Sequence, residues 1–308
     1  MTEKWMEIRK GADFKKIGEA FSIDPVIARI IRNRDVIGMD EIEMYLYGDA
    51  DKLYDPKLMH DMEKAVSIIS GKIKEGASIR IIGDYDIDGI NATYILLKAL
   101  RELGAKVSVE IPDRQKDGYG INENLIREAK EAGVDTILTC DNGIAAIDAI
   151  AYAKEEGMTV VVTDHHDIPF EETESGKQYL KSNADAIVNP HQEECQYPYK
   201  ELCGAAVAWK FVQALYEKNQ VASDRADEFL ENVAFATIGD VMDLTGENRL
   251  IVRLGLERLH HTKNLGMRAL IFQNNLTMEQ IKAYHIGFIL GPCMNASGRL
   301  DTAKRSLQ

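Results

Sequence analysis

The sequence has no long apolar run, since no stretch of its 308 residues approaches the length that crosses a membrane. Its first residues, MTEKWMEIRKGADF, contain no apolar segment of the kind found in a secretory signal. Its four cysteines, at positions 140, 195, 203 and 293, show none of the spacings of a thiolate metal site or a redox pair. We therefore expect a cytoplasmic protein, in a reducing compartment and without membrane contact.

Basic residues are scarce: 37 Lys and Arg stand against 50 Asp and Glu, which gives a net charge of −13. Proteins that hold phosphate backbones usually carry a basic face, so this balance disfavours a broad nucleic-acid surface. Any such contact must be local, and each available basic group also fits an ordinary solvated helix face. The candidate groups are Arg29, Arg32 and Arg34; Arg114 and Lys116; and Arg299, Lys304 and Arg305.

Acidic and imidazole side chains follow three predicted strands. Each of three polar motifs comes directly after an apolar, β-branched run: GDYDIDG at 83–89, TCDNG at 139–143 and TDHH at 163–166. Helix-forming stretches that close on a glycine separate the runs, at Gly104, Gly133 and Gly157. Strands that alternate with helices of this length are typical of βαβ units in a parallel sheet.

We therefore predict an α/β fold, a parallel sheet with helices on both faces. A helical N-terminal segment is expected over residues 1–76 and a larger domain over 77–308. That domain divides into a parallel α/β core (77–190) and a mostly helical part (191–308), where apolar residues recur at helical spacing. Trp209, Phe211 and Tyr216 in this part are candidates for base stacking, but we expect them to pack in the interior.

The motif side chains should converge, because right-handed crossovers bring the carboxyl ends of parallel strands to one edge of the sheet. Carboxylates held close together raise one another's pKa, and a divalent cation removes that penalty. Oxygen and imidazole ligands without thiolate suit Mn²⁺ or Mg²⁺, and two such ions are the usual device for attack on a phosphate ester. The side chains expected to meet are Asp84, Asp86, Asp88, Asp141, Asp164, His165 and His166.

Two other interpretations of the acidic run fit the sequence less well. DxDxDG opens a calcium-binding EF-hand loop, but the twelfth position of that loop requires Glu and is Ile95 here. A phosphatase of the haloacid dehalogenase type would use Asp86 as nucleophile and Asp88 as acid and base, but it does not explain His165 and His166. Polar loop ends without function are common for one cluster and improbable for three at equivalent points.

The motifs resemble those of the DHH phosphoesterase superfamily, and within it the RecJ-type exonucleases specific for single-stranded DNA. The resemblance runs along almost the whole chain. It includes GDYDIDG, CDNGI and the DHH triplet, and then IPDRQKDGYGIN at 111–122, YPYKELCGAAVAWKF at 197–211, ATIGDVMDL at 236–244 and GPCMNASGRLDTA at 291–303.

The resemblance implies a role for each matching residue. It implies a bridging metal ligand at Asp141, and a contact between His166 and the scissile phosphate. Asp164 is expected to orient the two histidines, and Arg299 to clamp a phosphate. The implied ligands for two Mn²⁺ or Mg²⁺ ions are Asp84, Asp86, Asp88, Asp141, His165 and Asp240.

Two departures from the family pattern matter. Many small-molecule phosphatases of the superfamily place a ligating His where this chain has Ile82, so that ligand is expected from Asp84, with a water in the position as the alternative. The family's Gly-rich phosphate-gripping motif and its oligonucleotide-binding barrel do not occur in these 308 residues, so we expect a catalytic part of a longer protein.

The function implied by the resemblance is 5′ to 3′ degradation of single-stranded DNA to mononucleotides in repair and recombination. The expected partners are single-stranded DNA, and helicase or single-strand-binding proteins, with the chain itself a monomer. The alternatives are a phosphodiesterase for short oligonucleotides or cyclic dinucleotides, and a non-catalytic DNA-binding relative.

Overall fold

The computed structural model describes residue 6 and residues 9–112, 120–174, 176–300 and 303–307, with the side chains of residues 223 and 297–300 outside that description. Three of the basic side chains singled out above, Arg114, Lys116 and Arg299, therefore lie outside the described part of the chain. Among the described helices, none is long and apolar enough to cross a membrane.

The chain begins with three short helices that share a small core of their own. They are α1 (Phe14–Phe21), α2 (Pro25–Asn33) and α3 (Met39–Tyr47), followed by 3₁₀ turns Ala50–Lys52 and Pro56–Leu58. Asp24 caps α2 by accepting a hydrogen bond from the Val26 N–H, and proline at the first position of α2 favours the start of a helix. The shared core consists of Ile17, Ala28, Ile31, Val36, Ile42 and Tyr45.

The centre of the molecule is a five-stranded parallel sheet with the strand order β2-β1-β3-β4-β7. The strands are β1 (Ser78–Ile82), β2 (Lys106–Glu110), β3 (Thr136–Cys140), β4 (Thr159–Thr163) and β7 (Ala186–Val188). β3 is buried along its whole length, which explains its continuous apolar and β-branched composition.

Helices cover both faces of this sheet, as predicted. Three pack in one core with β1: α4 (Met62–Glu75), α5 (Ile87–Glu102) and α8 (Gly204–Lys218). Two pack in a second core on the other face: α6 (Glu123–Glu131) and α7 (Ile147–Glu155). The α/β prediction is confirmed, and so is the interior position of Trp209, Phe211 and Tyr216, which are fully buried.

An antiparallel hairpin interrupts the βαβ pattern between β4 and β7. It consists of β5 (Phe170–Thr173) and β6 (Gly176–Tyr179), whose described residues are exposed. The hairpin was not predicted, because its strands bury no face and so carry no continuous apolar run.

The rest of the chain is helical. Its elements are 3₁₀ turn Ser223–Phe229, α9 (Leu230–Gly239), α10 (Gly246–Leu259), α11 (Leu265–Gln273), 3₁₀ turn Met278–Gln280, α12 (Ala283–His285), π-helical turn Ile286–Leu290, α13 (Gly291–Leu300) and α14 (Lys304–Leu307). α9 is buried from Leu230 to Ile238 and lies between α8, α10 and α5, so the helical part packs directly onto the core of the sheet domain.

Candidate metal centre

The polar motifs after β1, β3 and β4 meet at one edge of the sheet because these strands are neighbours. Ile82 pairs with Thr139, and Cys140 pairs with Thr163, so the residues that follow each strand start side by side. Three groups of candidate ligands result, and within each group the ligand atoms all lie within 4.8 Å of one another. The groups are Asp84, Asp86 and Asp141; Asp88, His165 and Asp240; and Asp141, His165 and His166.

Asp86 is fixed by the start of α5. Its Oδ1 accepts hydrogen bonds from the N–H groups of Asp88, at 2.9 Å, and Gly89, at 3.0 Å. Gly89 is required here, because a Cβ at that position would lie 2.5 Å from the carbonyl oxygen of Asp84. The helix cap therefore leaves the second oxygen of Asp86 available at the edge of the cluster.

Asp88 joins α5 to α8. Its Oδ2 accepts the N–H of Gly204 at 2.6 Å, and its Oδ1 accepts the N–H of Ala205 at 2.8 Å. The residue before α8, Cys203, makes no side-chain cap of its own. The buried carboxylate of Asp88 therefore accepts the free N–H groups of the first turn of α8, and it faces the positive end of that helix. Asp88 Oδ2 also lies 3.5 Å from Nε2 of His165.

Asp141 lies at the centre of the cluster, in a left-handed backbone conformation with φ of 59°. Its Oδ1 is 3.1 Å from Nε2 of His165. α8 approaches so closely that a Cβ on Gly204 would lie 2.6 Å from both Cβ and Oδ1 of Asp141. A glycine at the first position of α8 is thus a steric condition for this site.

Asp164 accepts hydrogen bonds through both of its oxygens. Oδ2 accepts the Ile144 N–H at 2.8 Å, and Oδ1 accepts the backbone N–H of His165 at 2.7 Å and contacts Nδ1 of His166 at 2.8 Å. Burial acts to raise its pKa, but the hydrogen bond and charge of His166 outweigh burial, so the pKa of Asp164 is lowered. This geometry supports the expectation that Asp164 orients the histidines.

His166 is the most exposed side chain of the cluster. The hydrogen bond to Asp164 raises its pKa to about 8 even though partial burial opposes the shift. Since Nδ1 contacts Asp164, Nε2 is the ring nitrogen on the side away from that carboxylate. His166 is therefore largely protonated near neutral pH in the metal-free protein.

Asp240 comes from the helical part, directly after α9. Its Oδ2 is 4.0 Å from Nε2 of His165. Burial and the charges of Asp88 and Asp86 raise the pKa of Asp240 to about 7. Gly239 permits the approach, because a Cβ there would lie 2.4 Å from Cδ1 of Ile87.

The electrostatics of the cluster suit a bound cation. Burial first, and then the neighbouring charge of Asp86, raises the pKa of Asp84 to about 7. The pKa of Asp141 rises well above its ordinary value for the same reasons, burial and then the charge of Asp88. Oδ1 of Asp84 is buried without a hydrogen-bond partner among the described residues. A bound cation would be coordinated by this oxygen and would relieve the repulsion between the carboxylates.

The donor set consists of oxygen and imidazole nitrogen. Burial raises the pKa of the neighbouring Cys140 thiol to about 12, so this group stays protonated and is a poor metal ligand. Carboxylates and imidazole without thiolate match the preference of Mn²⁺ and Mg²⁺.

Three asparagines position the site and were not predicted to do so. Nδ2 of Asn142 donates to the carbonyl oxygens of Ile82 and Cys140, which ties the ends of β1 and β3 together. Nδ2 of Asn189 donates to the carbonyl oxygen of His166 at 2.9 Å. Asn295 holds the start of α5, as its Oδ1 accepts the N–H of Ile87 at 2.8 Å. Asn142 and Asn295 lie inside motifs quoted above, and this position was the feature of the sequence that could have indicated their role.

The fold and the cluster define a class of protein, the parallel α/β proteins that gather carboxylates and imidazoles at the carboxyl edge of a sheet. Residues 78–237 match the family described as DHH family, N-terminal domain. Because this match covers more than half of the 308 residues, the chain belongs to the DHH family. The family prediction made from the motifs is confirmed.

Several known proteins are similar to this chain in sequence or in structure. The chain is 38% identical over 289 residues to the single-stranded-DNA-specific exonuclease RecJ of Bacillus subtilis (strain 168), a match that covers 94% of this chain and 35% of that protein. The crystal structure of exonuclease RecJ bound to manganese matches with a TM-score of 0.70 and 32% identity, over 81% of this chain and 60% of the other.

RecJ from Thermus thermophilus in complex with Mn²⁺ matches with a TM-score of 0.77 and 27% identity, over 96% of this chain and 40% of the other. In each of these comparisons the chain spans less than two thirds of the relative's own length.

Proposed function

We propose that this chain is a metal-dependent phosphodiesterase that removes nucleotides from single-stranded DNA, in the 5′ to 3′ direction, in DNA repair and recombination. The observation that carries the proposal is the cluster itself, in which three groups of ligand atoms are linked because Asp141 belongs to two of them and His165 to two of them. The named activity of the similar proteins supports single-stranded DNA as the substrate.

We propose two Mn²⁺ or Mg²⁺ ions as cofactors, held by the carboxylates and imidazole of the cluster. Bound cations would lower the pKa of a coordinated water and neutralise charge on the attacked phosphate. The residues proposed as ligands are Asp84, Asp86, Asp88, Asp141, His165 and Asp240.

The protein's own groups hold the substrate in place. We assign to Nε2 of His166 a charged hydrogen bond to an oxygen of the scissile phosphate, because Asp164 keeps this ring protonated and fixes its orientation. Asn189 fixes the backbone of His166 from the other side. Water attacks phosphorus, the bond to the 3′ oxygen of the released nucleotide breaks, and the phosphate stays on the 5′ end of the remaining strand. Arg299 is proposed as a phosphate clamp.

We propose the predicted division of the chain, with residues 1–76 as a helical segment and 77–308 as the catalytic domain. The separate core of α1, α2 and α3 supports this division, and α4 is the helix that attaches the segment to the sheet. A monomeric state, and helicase or single-strand-binding proteins as partners, stay predictions.

A phosphodiesterase acting on short oligonucleotides is the alternative within the same chemistry. A long labelled single-stranded DNA and a dinucleotide, each incubated with Mn²⁺, separate the two proposals. We expect release of mononucleotides from the 5′ end of the longer substrate. Cleavage of the dinucleotide alone would contradict the exonuclease proposal, and absence of cleavage of both would contradict phosphodiesterase activity.

Asp141→Asn is the inactive control for this assay, since it removes charge at the centre of the cluster at nearly constant volume. Asp51→Asn is the matched control, because Asp51 is an exposed carboxylate of the N-terminal segment. Activity that survives in Asp141→Asn would point to a contaminating nuclease.

A further inference from the structure

A stacked pair of exposed aromatic rings lies on the segment just before α13. Tyr284 and Phe288 are 63% and 73% exposed, their ring centroids are 5.1 Å apart, and their planes differ by 28°. Large aromatic side chains normally bury most of their surface, so two adjacent exposed rings are an unusual feature of a folded surface.

The backbone that presents the pair is unusual as well. Residues Ile286–Leu290 form a π-helical turn, a rare conformation that recurs at functional sites. Ile286 and Leu290 are fully buried, whereas Phe288 between them points to solvent. The turn thus fixes one face in the core and holds the aromatic pair on the other.

This turn shares a hydrophobic core with residues that adjoin the candidate ligands along the chain. Its buried residues Ile286 and Leu290 share one hydrophobic cluster with Ile87, which lies between Asp86 and Asp88, and with Ile238 near the end of α9. Ile238 Cγ2 would be 3.7 Å from a Cβ on Gly287. The aromatic pair is therefore carried by a turn whose buried residues belong to the same cluster as two immediate neighbours of the proposed ligands.

A residue in a strained backbone conformation follows the proposed ligand Asp240. Val241, directly after Asp240, is 86% exposed and has a positive φ of 60°, which is rare for a β-branched residue. Residues in this conformation cluster at functional sites. Val241 adds a further exposed apolar side chain beside Asp240.

We infer that Tyr284 and Phe288 form a platform on which bases of the single-stranded substrate stack; this inference rests on the proposed function. The net charge of −13 means that long-range attraction cannot supply most of the affinity for a polyanion. Stacking on aromatic rings is independent of charge and tolerates any base. A platform carried by a turn that shares its buried core with Ile87 and Ile238 therefore supplies the sequence-independent grip that the acidic balance does not.

The test compares four proteins in steady-state hydrolysis of a 5′-labelled oligonucleotide with Mn²⁺, and in binding followed by fluorescence anisotropy. They are the native chain, the double variant Tyr284→Ala with Phe288→Ala, the double variant to Leu at both positions, and Phe272→Ala. Phe272 is a matched control, since it is 81% exposed on α11 in the same helical part. Thermal unfolding checks that each variant is folded.

We expect the double alanine variant to raise KM and the dissociation constant at least about fivefold with kcat unchanged, from the cost of one lost base stack. The leucine variant should behave in the same way, because it keeps an apolar surface but removes the rings. Phe272→Ala should match the native chain. An oligonucleotide with abasic residues should weaken binding to the native chain and not weaken it further in the alanine variant.

Unchanged binding in the double alanine variant would overturn the platform, and so would full binding by the leucine variant, which would indicate apolar docking of a protein. A change from dimer to monomer in the alanine variant would assign the pair to self-association instead. If the native chain binds the oligonucleotide but cleaves no substrate, the proposed activity fails while the anisotropy series still tests the platform.

Discussion

Replacing Asp84 by asparagine tests whether this buried carboxylate is kept for a metal ion. Its pKa rises from 3.8 to about 7 because of burial and the charge of Asp86. A carboxyl group whose pKa is higher in the folded state than in the unfolded state lowers the free energy of unfolding once the pH exceeds its pKa in the unfolded state, because the unfolded chain then loses the proton more easily. The free energy of unfolding of the metal-free protein should therefore fall as the pH rises from 3.8 to about 7, and level off above it.

The size of this effect follows from the two pKa values. Within the window, each pH unit costs about 1.4 kcal/mol for one group. Between pH 5 and pH 7.5 the penalty from Asp84 therefore grows by about 3 kcal/mol. Asparagine cannot ionise, so Asp84→Asn should gain about 3 kcal/mol relative to the native chain over this interval. Any cost of burying the amide, about 1–3 kcal/mol, is the same at both pH values and cancels.

Urea unfolding followed by circular dichroism at pH 5 and pH 7.5, in the presence of EDTA, measures this difference. Calorimetric titration with Mn²⁺ at pH 7.5 gives the second readout, and we expect the affinity of Asp84→Asn to fall at least about 10–100-fold. Asp51→Asn, an exposed control, should leave both quantities unchanged. A stability difference that does not vary with pH would refute the reasoning, and unchanged Mn²⁺ affinity would show that the carboxylate is structural.

Three further predictions concern the same centre. Asp141→Asn should abolish binding of both metal ions, measured by elemental analysis after gel filtration, and two retained ions would contradict the bridging role. Asp164→Asn removes the carboxylate that raises the pKa of His166 to about 8. The loss of activity at alkaline pH should therefore move to lower pH in the pH–rate profile, and an unmoved limb would count against a protonated His166. Gly204→Ala places a Cβ 2.6 Å from Asp141, and should cost about 1–3 kcal/mol of stability and weaken Mn²⁺ binding. Gly71→Ala adds a Cβ that meets no atom within 4 Å beyond its chain neighbours and the backbone of its own helix, and should instead stabilise α4 by about 0.5–1 kcal/mol. Equal effects of the two substitutions would argue against the steric role of Gly204.

Much of the fold was predictable because its signals are local. Apolar, β-branched runs followed by acids, and glycine-closed helices between them, specify a parallel sheet whatever the rest of the chain does. The register of β1, β3 and β4 then places Asp84, Asp141 and His165 at one edge. The hairpin between β4 and β7 escaped prediction because exposed strands carry no burial pattern.

The helical part contributes to the site through contacts that no local pattern contains. Asp240 follows a helix and not a strand, so the strand-end pattern did not predict it, and only the family resemblance, through ATIGDVMDL at 236–244, predicted a role for it. The tertiary structure brings it to 4.0 Å from His165 because α9 packs between α5, α8 and α10.

The sequence by itself determined the sheet, its order of motifs and the residue types that meet at its edge. Only the tertiary structure decided which hydrogen bonds position those residues. The two oxygens of Asp88 accept hydrogen bonds from the start of α8, 116 and 117 residues later in the sequence. Asn295 accepts a hydrogen bond from Ile87, from which it is separated by 208 positions in the sequence. Such contacts depend on how whole helices pack, because a buried polar atom takes whichever donor the packing brings within reach, and separation along the chain does not encode that choice.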